Sequence, residues 1–252
     1  TWNPVGESTD LTLGWDTPNA GAGGDTSGYA IERGASADGP WSRLAEVGRR
    51  VRTYLDADVT IAHPHYRVVA LTDALDGGPS NVVQTHRIEG DTYDVRDQTV
   101  PTIPFATTLY GVVRYPADLG AGPYPLVVLM HGNHGICRRT PTDDRDACAD
   151  SRDHECPEPG WFTTPNAEGL AYLAETVAAM GYVAVSISGN AVNCRDTWIG
   201  ERAQLIRSPL DRWRRYAGSG AAPFSTRFAG AVDLSRVAHS GHSRGGDAVA
   251  AV

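Results

Sequence analysis

The alternation of hydrophobic and polar positions divides the chain into two parts. In the first, short runs such as Tyr29–Arg33 and His65–Leu71 alternate between apolar and polar residues. Turn residues separate these runs at intervals of about ten residues, a spacing typical of strands in a β-sandwich. We therefore predict an all-β sandwich over residues 1–88.

The second part has a different pattern, with continuous apolar runs and segments of helical spacing. The apolar runs are Leu126–Met130 and Tyr182–Ile187, and the helical segments are Ala167–Met180 and Glu201–Tyr216. Continuous apolar strands that alternate with amphipathic helices indicate a parallel sheet joined by right-handed crossovers. The sequence thus predicts an α/β domain over residues 105–252, preceded by a polar, acidic linker over residues 89–104.

The pentapeptide Gly241–Gly245 has the pattern G-x-S-x-G between a predicted short buried strand, Arg236–Ser240, and a predicted helix from Asp247 onward. In this context the pattern predicts a nucleophile elbow, a tight turn that holds its serine, Ser243, at strained backbone angles. The turn would aim the Ser243 hydroxyl at the N-terminus of the helix, where free N–H groups stabilise negative charge. The alternative is a chance match in a chain rich in glycine and serine.

Three segments of the second part resemble the α/β-hydrolase superfamily: Pro125–Gly132, Tyr182–Ile187 and Gly241–Gly246. The Gly-His-Ser-x-Gly-Gly form of the last segment is similar to cutinase-like and dienelactone-hydrolase-like esterases. The resemblance implies that Ser243 is the nucleophile. It also implies that the oxyanion is held by the backbone N–H of Arg244 and by that of Asn133 or His134.

In that superfamily an acidic residue and a histidine follow the serine. No histidine follows Ser243, and Asp247 lies within the same predicted helix. We therefore expect the chain to be the N-terminal, C-terminally incomplete part of a hydrolase, with little activity alone. The strand before the elbow would then be an unpaired edge.

Polar residues near the same end of the predicted sheet are candidates for a substrate pocket. His131, Asn190, Asn193 and Asp196 follow the two apolar strands, and ligands of open α/β sheets bind at that end. The alternatives are that His131 shapes the oxyanion loop and that the two asparagines form turns. The arginines of the Glu201–Tyr216 segment, including Arg202, are expected on a solvated helix face.

The first 88 residues resemble a fibronectin type III domain. The resemblance rests on Trp15, Tyr29–Arg33, Gly39–Trp41, Tyr54–Asp56 and Tyr66–Ala70, in that order. It implies that Trp15 and Tyr66 fill the core and that the domain is a spacer or packs on its neighbour. Binding of carbohydrate or of a surface is the alternative.

Four cysteines, Cys137, Cys148, Cys156 and Cys194, lie in one loop-rich region. An even, clustered set favours two disulfides and an oxidising compartment over free thiols or a zinc site. Cys137 and Cys194 each follow a predicted core strand at the same end of the sheet. We therefore expect the pairs Cys137–Cys194 and Cys148–Cys156.

Composition narrows the possible partners. The formal net charge is −8 and the chain shows no basic stripe, which argues against nucleic acid. No run of eighteen apolar residues is present, so no membrane span is expected. No cofactor or metal is expected, and the spacing of acidic residues between Asp143 and Glu158 does not match a calcium loop.

Together these patterns predict a secreted bacterial carboxylic-ester hydrolase that forms an acyl-enzyme on Ser243. A serine peptidase would use the same residues. A binding or adhesion protein on a hydrolase-like scaffold is the alternative outside enzymes. The acyl group, the alcohol and the oligomeric state are left open.

Overall fold

A computed structural model describes residues 11–16, 26–57, 59–61, 63–72, 76–143 and 145–252. The chain forms two compact units, residues 1–87 and 88–252, and each is described by itself. Residues 1–6, where a fibronectin type III domain would have its first strand, lie outside the described residues.

In its described part, the first unit consists of strands. They are β1 (Leu11–Gly14), β2 (Thr26–Gly34), β3 (Trp41–Gly48), β4 (Thr53–Asp56), β5 (His65–Thr72), β6 (Asp76–Pro79) and β7 (Val83–Gln84). β1 pairs with β4, and a second sheet has the order β3-β2-β5-β6, with β7 also pairing with β5. β2 and β5 contain the predicted alternating runs. The fibronectin type III assignment remains a prediction.

The interior of this unit contains a tyrosine–carboxylate–arginine contact. The Tyr66 hydroxyl donates to Asp56 Oδ2 at 2.6 Å, and Arg33 Nη1 donates to the same oxygen at 2.7 Å. Tyr66 is buried as expected. Trp15 is only partly buried, with its ring centroid 5.7 Å from that of Tyr29.

The second unit is mixed α/β. Its five-stranded sheet has the order β14-β10-β13-β9-β8. The strands are β8 (Ile88–Gln98), β9 (Thr107–Pro116), β10 (Tyr124–Met130), β13 (Val183–Ile187) and β14 (Val232–Gly241), and β11 (Cys137–Arg138) with β12 (Phe162–Thr163) forms a separate pair. β10 is parallel to both neighbours, whereas β9 pairs antiparallel with β13 and β8.

Helices cover both faces of this sheet. They are α1 (Ala171–Ala179), α2 (Ile199–Ala217) and α3 (Arg244–Ala250), with 3-10 turns at Leu119–Ala121, Glu168–Leu170 and Asn190–Val192. Val127 and Leu129 of β10 pack on the α1 side, while Leu126, Val128 and Met130 join the large core that includes Trp213 of α2. This alternation explains why β10 is apolar at every position.

Two sequence predictions about elements were wrong. The expected linker over residues 89–104 is largely strand, because β8 continues to Gln98 and pairs with β9. Tyr93 is buried on one face of this strand, whereas the charged Asp94 and Arg96 are exposed on the other. Pro209 was also expected to bend or restart the second helix, but α2 continues through this buried proline without a restart.

The strand before Ser243 is longer and more exposed than predicted. β14 covers ten residues, and Arg236, Ala238 and Ser240 are exposed. It pairs with β10 and lies at one edge of the described sheet. Its C-terminal end, at Gly241, lies beside Met130, the last residue of β10.

Candidate active site

The turn between β14 and α3 places Ser243 at a strained position. β14 ends at Gly241 and α3 begins at Arg244. Between them, Ser243 has φ 52° and ψ −126°, in a region that residues with a Cβ rarely adopt. The turn is closed by Gly245 N–H, which donates to His242 O at 2.9 Å. Ser243 is exposed at its tip.

Glycines make this close turn possible. A Cβ on Gly241 would lie 2.4 Å from the Gly245 carbonyl, and a Cβ on Gly245 would lie 2.3 Å from Met130 O. Both neighbours are backbone atoms, so neither can rotate away. The two glycines of the pentapeptide are therefore required by the contacts of the turn with itself and with β10.

The loop after β10 approaches the serine. A Cβ on Gly132 would lie 3.1 Å from Ser243 Cβ. The next two residues are Asn133 and His134. Their backbone N–H groups, and that of Arg244, donate to no acceptor within the part of the chain that the structure describes. The loop therefore brings free donors close to the Ser243 turn, as an oxyanion site requires.

The carboxylate of Asp196, a candidate pocket residue, links the two sides of this site. Asp196, in the loop after β13, accepts two hydrogen bonds of 2.8 Å from the Arg244 guanidinium. It also accepts a weaker contact of 3.5 Å from Asn133 Nδ2. Hydrogen bonding to Arg244 lowers the pKa of Asp196 and raises that of Arg244. The sequence places Asp196 and Arg244 far apart, so no local signal pointed to this pair.

Two exposed histidines flank the turn. The rings of His134 and His242 lie nearly parallel, with centroids 6.3 Å apart. Within the described chain, no side chain hydrogen-bonds to Ser243 Oγ. The structure thus places these histidines around the serine without joining either to it.

His131, which was predicted to line a substrate pocket, has a structural role. It is 3% exposed, and its Nδ1–H donates to Gly132 O at 2.8 Å while Nε2 accepts from Gly189 N–H at 2.8 Å. Burial lowers the pKa of His131 to about 3, so the ring is neutral. It joins the loops that leave β10 and β13, in agreement with the alternative that it shapes the oxyanion loop.

Asn193, also predicted to line the pocket, is an internal residue. It is fully buried, and its Oδ1 accepts from Arg202 Nη1 at 2.9 Å. Asn190 is also buried, and its Nδ2 donates to His154 O at 2.8 Å and to Thr164 O at 3.1 Å. Asn190 borders a separate small cavity that Tyr110 and His154 also line. The lining of that cavity does not include Ser243.

Arg202 was placed wrongly by sequence reasoning. It was expected on a solvated helix face but is 1% exposed. Its Nη2 donates to Asn133 Oδ1 at 3.3 Å and to Val192 O at 3.4 Å. Burial lowers its pKa to about 10. The helical spacing was the signal that could have placed it inward, because Arg202 lies three and four residues before the buried Leu205 and Ile206.

All four cysteines form disulfides, but the predicted pairing was wrong. The bonds are Cys137–Cys156 and Cys148–Cys194. Cys137 pairs with Thr163 in the β11–β12 ladder, and Cys156 N–H donates to Thr163 Oγ1, so these two cysteines meet at one residue. Cys194 is instead held at the Ser243 side, because its N–H donates to Asn133 Oδ1 at 2.8 Å.

Neither a metal site nor a membrane span is apparent in the residues that the structure describes. They contain no group of three or more histidine, cysteine, aspartate or glutamate side chains placed to hold a metal ion. No described helix is long and apolar enough to cross a bilayer.

No protein-family model matches the chain, and no curated protein matches it. Among solved structures, it is similar to a ferulic acid esterase from Streptomyces cinnamoneus, with 20% sequence identity and a TM-score of 0.41. The similarity covers 66% of this chain and 54% of the esterase chain, so this chain spans about half the length of that structure.

Proposed function

We propose that this chain supplies the nucleophile and the oxyanion donors of a serine hydrolase of the α/β-hydrolase type, acting on carboxylic esters. The observation that carries the proposal is the backbone of Ser243, at φ 52° between β14 and α3. A strained serine at a strand-to-helix turn, enclosed by glycines that tolerate no side chain, is the geometry of a nucleophile elbow.

The reaction begins when Ser243 Oγ attacks the carbonyl carbon of the ester and its proton passes to a general base. The carbonyl electrons move to oxygen, and the backbone N–H groups of Arg244 and of Asn133 or His134 donate to the resulting oxyanion. Each such donor stabilises the transition state by on the order of 3 kcal/mol. Collapse breaks the bond to the alcohol, which takes up a proton, and water then hydrolyses the acyl-enzyme and restores Ser243.

The proposal assigns the nucleophile and the donors to this chain and does not assign the base. His134 and His242 flank Ser243 but neither is hydrogen-bonded to it in the described structure. The free backbone N–H groups on both sides of the serine support the assignment of the oxyanion site.

We further propose that the protein acts outside the cell and that its first unit is a fibronectin type III-like spacer. Two disulfides in one loop region are compatible with an extracellular protein. The strand composition of the first unit's described residues is compatible with such a module.

Labelling with a fluorophosphonate tests the nucleophile. We expect the wild-type chain to be labelled slowly, because no base is assigned to Ser243, and Ser243→Ala to lose the label. Ser240→Ala is the matched control, because Ser240 is an exposed serine of β14 close to the turn. Equal labelling of wild type and Ser243→Ala, or no labelling of either, would contradict the proposal and leave a binding protein on this scaffold.

A further inference from the structure

The guanidinium of Arg202 is a buried charge with only neutral contacts. Arg202 donates to Asn193 Oδ1, Asn133 Oδ1 and Val192 O. It forms no ion pair within the described residues, and its Nε is buried without a partner. Burying a charge in this way costs several kcal/mol unless other groups compensate it. This cost suggests that the buried charge of Arg202 has a function.

The location of this charge is behind the candidate oxyanion site. A Cβ on Gly189 would lie 2.8 Å from Arg202 Nη1 and 3.4 Å from His131 Cε1. The guanidinium thus lies beneath the loops that leave β10 and β13. Through Asn133 it contacts the loop whose Gly132 packs against Ser243 Cβ.

The Asn133 side chain receives two donors. Its Oδ1 accepts from Arg202 Nη2 at 3.3 Å and from Cys194 N–H at 2.8 Å. These bonds hold the side chain from the interior, so the Asn133 backbone has little freedom to rotate. The free N–H groups of Asn133 and His134 therefore keep one orientation relative to Ser243.

We propose that Arg202 is a positioning residue of the oxyanion site, which fixes the Asn133 loop and stabilises negative charge on an adduct of Ser243. This inference rests on the proposed function of Ser243. A buried charge acts over a longer distance than a solvated one, because little water screens it. The nearby Asp196 and Arg244 are exposed and paired with each other, so their fields are largely screened.

The ionisation of a hemiketal measures this effect directly. A phenylalkyl trifluoromethyl ketone adds to serine: a bond forms from Oγ to the carbonyl carbon, and the serine proton ends on the ketone oxygen. That hydroxyl then releases its proton to the buffer, and fluorine NMR follows its pKa. The pKa reports the stability of an oxyanion at this site. If Arg202 only stabilised the fold, replacing it would not change this pKa.

Two variants separate charge from geometry. Arg202→Gln removes the charge but can still donate to the asparagines, and we expect it to raise the hemiketal pKa by at least about one unit, a tenfold loss of oxyanion at a given pH. Arg202→Lys keeps the charge but loses the planar fork, and we expect a smaller rise. Arg207→Gln, at an exposed position of the same helix, should match the wild type.

The outcomes distinguish this inference from the proposed function. An unchanged hemiketal pKa in the Arg202 variants that fold, as judged by thermal unfolding, overturns the role of Arg202 and leaves Ser243 as nucleophile. If one of the two Arg202 variants does not fold, the hemiketal pKa of the other variant tests the inference. Absence of an adduct in the wild type, or its persistence in Ser243→Ala, overturns the proposed function and this inference with it.

Discussion

At the scale of single residues, the turn at Ser243 requires glycines, because a Cβ atom would clash with the neighbouring backbone. A Cβ on Gly245 would lie 2.3 Å from Met130 O and 2.5 Å from His131 O, both backbone atoms at the end of β10. We expect Gly245→Ala to lower the free energy of unfolding by about 1–3 kcal/mol, as in other overpacked sites, and to abolish labelling of Ser243.

Gly246→Ala is the matched control for that substitution. A Cβ at Gly246 meets no atom closer than Gly241 O at 3.3 Å, and alanine is favoured over glycine within a helix by up to about 1 kcal/mol. Urea unfolding of the two variants tests the comparison. Equal stability of the two would mean that the close approach of α3 to β10 does not constrain the turn.

His131 makes stability depend on pH. Its pKa is lowered from 6.5 in a solvated histidine to about 3 by burial. Between these two values the unfolded chain binds more protons than the folded one. The stability from the neutral ring is therefore complete above pH 6.5 and is lost as the pH falls toward 3, with a slope of up to about 1.4 kcal/mol per pH unit.

Urea unfolding across this pH window checks the contribution of His131. We expect His131→Gln to remove part of the acid sensitivity, because an amide can donate and accept without titrating. His242→Gln, at an exposed histidine, should retain the full sensitivity. Identical pH profiles for wild type and His131→Gln would show that the ring does not carry the effect.

At the scale of elements, the two disulfides differ in the length of chain that they close and in their contact with the Asn133 loop. Cys148–Cys194 closes a separation of 46 residues and Cys137–Cys156 one of 19. On chain-entropy grounds their removal costs about 4 and about 3 kcal/mol respectively. Only Cys194 contacts Asn133. We therefore expect the double variant Cys148→Ser/Cys194→Ser to slow labelling of Ser243 more than Cys137→Ser/Cys156→Ser does.

Urea unfolding and labelling rates measured on the same two double variants test this difference. The variant without Cys137–Cys156 is the control, since it loses a disulfide away from the Asn133 contact. Labelling that slows equally in both would indicate that general destabilisation, and not the position of the Asn133 loop, controls the site.

Elements with a strong local pattern were predictable, and those decided by pairing were not. The alternating and apolar runs correctly located β2, β5, β10 and β13. β8 was mistaken for a linker because its exposed face is charged, and charged residues resemble a loop when the partner strand is unknown. The cysteine pairing failed for the same reason, since it depends on how the loop folds back on Thr163.

At the scale of the whole molecule, the candidate site draws on segments that are distant in the sequence. Ser243 could be proposed as the nucleophile from the sequence because strand, turn and helix signals are contiguous around it. The contacts of Asp196 with Arg244 and of Arg202 with Asn133 were not predicted, because they join residues that are distant in the sequence. The pattern therefore predicts the nucleophile, whereas the groups that support it are visible only in three dimensions.

The most direct test of the account is to look for the acyl-enzyme itself. The chain would be incubated with p-nitrophenyl acetate, quenched in acid, digested and mapped by mass spectrometry, with Ser243→Ala in parallel. The account predicts one acetyl group on the peptide that contains Ser243, absent from the variant. An unmodified Ser243 peptide, or acetylation at another residue that persists in Ser243→Ala, would contradict it.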